Sequence, residues 1–122
     1  MSVTEFPLLT LPDRYLQIVQ DVLSAHIPDA EVWAYGSRVN GDCFEASDLD
    51  LVVRQPDDLR RRQSNLYEVK EAFTESNLPI IVQLVDWASI PAEFHTEIAA
   101  KYVVIQAAAP QIDTQEAGRV GV

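Results

Sequence analysis

A chain of 122 residues and 13.7 kDa with 9 Lys+Arg against 19 Asp+Glu carries a formal net charge of −10 and a pI near 4.4. Surface scaling lets about two thirds of the unfolded chain's surface be buried, enough for one domain with a core but not for a second substrate-binding domain of ordinary size. Such acidity disfavours tight, sequence-independent binding of long DNA or RNA and suits solubility, a basic partner or bound divalent cations.

In chain order, the first element is an amphipathic helix over residues 12–26, opened by Pro12, with Tyr15, Ile18, Val19, Val22 and Leu23 at three- and four-residue spacing. Pro28 and Asp29 end it, and Glu31 to Tyr35, rich in β-branched and aromatic residues, predicts a strand broken by Gly36-Ser37. Asp48 to Val53 alternates in its first half and predicts a second strand, closed by Pro56. Leu59, Leu66, Val69 and Phe73 among charges predict a long helix from Asp57 to Ser76. A third strand is predicted over Ile80 to Val85, a short helix over Ala92 to Lys101 and a last strand over Tyr102 to Ile105. The domain is therefore expected over residues 1–106, and the tail 107–122, with three alanines, a proline and two glycines but no apolar period, reads as disordered.

The lone Cys43 excludes an intrachain disulfide, argues against structural zinc and suits the reducing cytoplasm. Residues 1–10 lack a basic n-region and a continuous apolar stretch, and nothing in the chain approaches the ~20 apolar residues of a membrane span. A soluble, cytoplasmic protein without a membrane partner is expected.

The stretch that carries chemistry is a Gly36-Ser37 pair, ten residues, then Asp48-Leu49-Asp50. If a helical turn opens at Ser37 after the strand, its backbone N–H groups and the Ser37 hydroxyl form an anion site for a phosphate chain. Asp48 and Asp50, two apart on a strand, project from one face, where both can reach one Mg²⁺ or a pair of ions about 3.5–4 Å apart. Crowded acids repel each other unless a cation fills the gap, and a metal-bound triphosphate is the natural occupant. Asp86, at the end of the third strand, is a candidate third carboxylate beside Asp48 and Asp50, as metal ligand or as base for an attacking hydroxyl; capping the next helix is its alternative. Arg38 can reach a phosphate oxygen or lie solvated, and Ser47, beside Asp48, is a turn residue or a further nucleotide contact.

With Gly41 completing Gly-Ser-Arg-x-x-Gly and a later strand ending in Asp86-Trp87, this pattern resembles the minimal nucleotidyltransferases of the DNA polymerase β superfamily from about Val32 to Ile105. By composition, the four fixed positions occur by chance about once in a thousand chains of this length. The resemblance implies an α/β (α+β) nucleotidyltransferase fold, a mixed, mostly antiparallel sheet with helices packed on one face. It implies Mg²⁺-ATP with its phosphates over Gly36 and Ser37, one or two metals on Asp48 and Asp50, and Asp86 near the acceptor hydroxyl. Larger members carry a helical domain that holds the acceptor. In minimal members a separate helical HEPN protein, commonly an RNase toxin, fills that role, and the small chain resembles an antitoxin that adenylylates a tyrosine of the toxin. A hetero-oligomer with that partner, or a homodimer alone, is implied. A non-catalytic module that occludes the partner and an enzyme with a small-molecule acceptor stand as the alternatives.

Other residues read more plainly. Arg60-Arg61-Arg62 suits a solvated helix face, with the triphosphate, RNA or an acidic partner surface as the functional alternative. His26 and His95 lack companions at metal-ligand spacing, and Trp33, Tyr35, Trp87 and Tyr102 read as core or rim aromatics.

Overall fold

The structure is a computed structural model that describes residues 9–41 and 46–108. Its elements run α1 (Asp13–His26), β1 (Glu31–Tyr35), α2 (Ser37–Asn40), β2 (Leu49–Arg54), α3 (Leu66–Glu75), β3 (Val82–Asp86), a 3₁₀ turn (Trp87–Ser89), α4 (Ala92–Ala100) and β4 (Val103–Gln106). Pro12 precedes α1, where its missing N–H costs nothing, and its carbonyl accepts from the amides of Tyr15 and Leu16. Cys43 and residues 109–122 of the expected tail lie outside the described residues.

The long helix expected from Asp57 begins only at Leu66. Between them the polar segment satisfies its backbone locally: Asp58 Oδ1 accepts from the Arg60 amide, Gln63 Oε1 from that of Asn65, and the Asp58 carbonyl from that of Arg61. Leu59 is exposed, so no apolar anchor draws a helix to the core until Leu66, Val69 and Phe73.

The four strands form one sheet in the order β3-β2-β1-β4. β1 is antiparallel to β2 and β4, while β2 and β3 are parallel, as a crossover through α3 requires. The expected mixed, mostly antiparallel sheet is found. Strand alternation sends Val32, Ala34, Leu49, Leu51, Val53, Leu84 and Ile105 into one core with Val19 and Leu23 of α1 and Val69 and Phe73 of α3. Burying each such side chain contributes roughly 1.5–3 kcal/mol before the entropy of ordering is subtracted.

α1 and α3 cover that face as expected, but α4 departs from it. Trp33 of β1 and Val52 of β2 point to the other side and form a second cluster with Trp87 and Ile98, joined by Tyr35, Val85 and Phe94. The sequence reading of helices on one face therefore holds for α1 and α3 and is corrected for α4, because β1 and β2 carry large apolar side chains on both faces. Trp33 stacks on Tyr102 with ring centroids 3.8 Å apart and meets Trp87 edge-on at 5.5 Å. The Arg54 guanidinium, paired with Glu31, lies 4.2 Å from the Trp33 ring centre and 4.6 Å from that of Trp87. His95 is likewise occupied, stacked on Trp87 with Nε2 2.7 Å from the Trp87 carbonyl oxygen.

Candidate active site

The turn between β1 and α2 is built on glycine. Gly36 has φ 83° and ψ −152°, a region open essentially to glycine alone. A Cβ there would stand 3.3 Å from Cγ of Asp50 and inside contact distance of its Oδ2. Gly36 thus bends the chain and leaves room for a carboxylate. Its carbonyl accepts from the amides of Val39 and Asn40, which closes α2, and Gly41 in the left-handed region ends it.

Tyr35 lies opposite Asp50 in the β1–β2 register, so the glycine turn and the Asp48-x-Asp50 pair meet at one end of the sheet. Asp48 and Asp50 share the face that carries Trp33 and Tyr35, opposite the main core, by strand alternation from Leu49 and Leu51. Burial first, and the neighbouring Asp48 charge second, raise the pKa of Asp50. The Tyr35 phenol is pushed up to about 12 by burial and then by the Asp50 charge. Two hard oxygen donors whose charges are mutually unfavourable, beside a glycine whose lack of Cβ keeps one of them in place, fit a divalent cation.

Three expected contacts fall elsewhere. β2 and β3 are neighbours, but their parallel register sets Asp86 opposite Val53, three residues beyond Asp50, or about 10 Å further along the sheet. There the Asp86 carboxylate is buried, accepts from the amides of Gln63 (2.8 Å) and Ala88 (3.3 Å), and caps the 3₁₀ turn. Asp86 therefore does not join Asp48 and Asp50; among the alternatives, the cap is what the fold uses.

Arg38 is only 3 % exposed, and its guanidinium donates to the carbonyls of Ser47 (Nε 3.1 Å, Nη2 2.9 Å) and Thr10 (2.9 Å). It clasps the segment entering β2 to the one leading into α1, so these donors are engaged by backbone carbonyls. Ser47 takes part in that clasp through its carbonyl oxygen. Arg60, Arg61 and Arg62 lie in the segment that Gln63 ties to Asp86, at the far end of the sheet, and Arg61 pairs with Asp57 at 3.0 Å. That run therefore lies beside the Asp86 end of β3, while Gly36 and Asp50 lie at the other end of the sheet.

The residue absent from the sequence reading is Gln83. It sits directly opposite Asp50 on β3, and its Nε2 donates to Asp48 Oδ2 at 3.3 Å. A strand–helix–strand reading of residues 48–86 was the available signal. Such a unit forces parallel strands, which sends the end of the third strand away from Asp50 and brings its start alongside.

A glycine turn and an acidic pair at one end of a four-stranded mixed sheet define the class. The chain matches the nucleotidyltransferase domain family over residues 15–107 and belongs to it; it is a nucleotidyltransferase. It is similar to a "Probable protein adenylyltransferase MntA" of Haemophilus influenzae, 42% identical over 106 residues that cover 85% of this chain and 90% of that protein. Its fold is also that of a crystal structure described as a toxin–antitoxin with AMP-PNP, with a TM-score of 0.61 and 20% identity over 85% of this chain and 82% of the other. Among the described residues no helix is long and apolar enough to cross a membrane.

Proposed function

We propose that this nucleotidyltransferase transfers AMP from Mg²⁺-ATP to a hydroxyl, that of a tyrosine, on a helical HEPN-family partner, and so acts in the cytoplasm as the partner's antitoxin. The observation that carries the reading is the convergence of Gly36, Asp48 and Asp50 at one sheet end, the glycine lacking the Cβ that would displace the Asp50 carboxylate. The similar MntA, named as a protein adenylyltransferase, and the toxin–antitoxin structure of the same fold support the acceptor class.

Asp48 and Asp50 would hold the Mg²⁺, which when bound would offset the charge of the triphosphate. The turn at Gly36-Ser37 receives the phosphates, with the Ser37 hydroxyl and the first amides of α2 as donors. The acceptor oxygen forms a bond to the α-phosphorus, the bond from that phosphorus to pyrophosphate breaks in line, and the acceptor's proton leaves to water. Tyr35, half-buried against Phe94 and opposite Asp50, walls the site on the β1 side.

The test is intact-mass spectrometry of the purified helical partner after incubation with this protein, ATP and Mg²⁺. A gain of one or more AMP units that disappears with Asp48→Asn/Asp50→Asn is the expected result. No gain on the partner, with binding retained, would instead favour an occluding module.

A further inference from the structure

A carboxylate pair on one strand leaves a third place beside it, on the adjacent strand and the same face. In this fold that place belongs to Gln83, directly opposite Asp50 with Nε2 on the Asp48 carboxylate. Adjacent strands lie about 4.8 Å apart, so any side chain at residue 83 stands next to both acids. The side chain is exposed, so its choice is not dictated by core packing.

We infer that Gln83 is a positioning residue of the nucleotide site: its amide holds the Asp48 carboxylate and puts a neutral group where a third charge would otherwise complete a cation cage. The inference rests on the reading of Asp48 and Asp50 as the metal-holding pair. An amide differs from a carboxylate in two ways that matter here. Its N–H₂ can donate to Asp48, which a carboxylate cannot, and its carbonyl oxygen can still face a cation as a weaker, neutral ligand. Affinity for a hard cation follows the number of charged ligands, so a site with two carboxylates binds a free ion weakly. Such a site gains its metal together with the triphosphate, whose own oxygens supply the missing charge. Gln83 thereby makes metal occupancy conditional on nucleotide.

The experiment titrates Mn²⁺ into the full chain and follows unbound Mn²⁺ by electron paramagnetic resonance, first without nucleotide and then with a non-hydrolysable ATP analogue. The wild type is expected to bind free Mn²⁺ weakly, and Gln83→Asp about tenfold more tightly, as one added charged ligand should make it. Gln83→Glu serves as the second variant should the shorter side chain misplace its carboxylate. With the analogue, the wild type binds Mn²⁺ tightly and Asp48→Asn/Asp50→Asn does not. If both acidic variants keep the wild-type affinity for free Mn²⁺, while nucleotide-dependent binding still requires Asp48 and Asp50, the role of Gln83 is overturned and the metal pair stands. If that double variant binds Mn²⁺ with the analogue as well as the wild type does, the metal-pair reading itself is overturned.

Discussion

At the scale of single residues, Gly36 ties backbone shape to chemistry most directly. Gly36→Ala meets two separate penalties, a backbone conformation that costs a residue with a Cβ on the order of 1–3 kcal/mol and a collision with the Asp50 carboxylate. The expected outcome is a lower Tm together with loss of AMP transfer. Thermal melts in an Asp50→Ala background separate the two, because Gly36→Ala costs less there once the carboxylate is gone. Tyr35 offers a second check. Its phenol is protonated in both folded and unfolded chains below pH 10, so it leaves stability unchanged there. Between 10 and about 12 the unfolded chain releases the proton and the folded chain keeps it, so stability falls as pH rises through that window. Ultraviolet titration of the four tyrosines should show Tyr35 ionising late and Tyr67 also raised, by its hydrogen bond to Glu71, and Asp50→Asn should bring Tyr35 alone part of the way back, burial being the larger cause.

At the scale of elements, the turn after β3 and the segment before α3 depend on each other through one carboxylate. Asp86 accepts from Gln63 and Ala88, so Asp86→Ala removes a cap and leaves the Gln63 amide without this acceptor, at a cost of about 1–2 kcal/mol. Because Asp86 stands about 10 Å from Asp50, AMP transfer measured well below the Tm should keep its rate within a small factor. A collapse of the rate in a folded Asp86→Ala protein would return Asp86 to the reaction. The helix periods of α1 and α4 and the strand signals of β1 and β2 were legible to within a residue or so, since amphipathic spacing and β-branched runs are local properties. The start of α3 was not, because Leu59 carries the helical spacing yet stays exposed while Asp58 and Gln63 bond their own neighbours.

At the scale of the whole molecule, the sheet places two acids side by side, where a cation relieves their mutual repulsion. Burial and the Asp48 charge raise the pKa of Asp50, so above its titration the carboxylate is a cost to the metal-free fold. Metal-free Asp48→Asn/Asp50→Asn should therefore melt slightly higher than the wild type near neutral pH, by less than about 1 kcal/mol given the partial exposure. Mg²⁺-ATP should then raise the Tm of the wild type by mass action and leave that of the variant unchanged. A double variant that is less stable than the metal-free wild type would mean that the two carboxylates serve the fold rather than a ligand.

The class of protein was legible in the sequence as a resemblance, because Gly36-Ser37 and Asp48-x-Asp50 lie close in the chain and the strand signals on either side of the turn are local. The sequence by itself determined also the net charge of −10, which suits a basic partner or bound cations. The tertiary structure decided which distant residues stand beside that pair. The parallel register of β2 and β3 brought Gln83 rather than Asp86 to Asp50, and the packing of Thr10 and Ser47 around α2 turned the Arg38 guanidinium inward. Strand direction is set by the crossover through α3, and burial by which segments close over a side chain. Both depend on contacts between residues far apart in sequence, which no local pattern encodes.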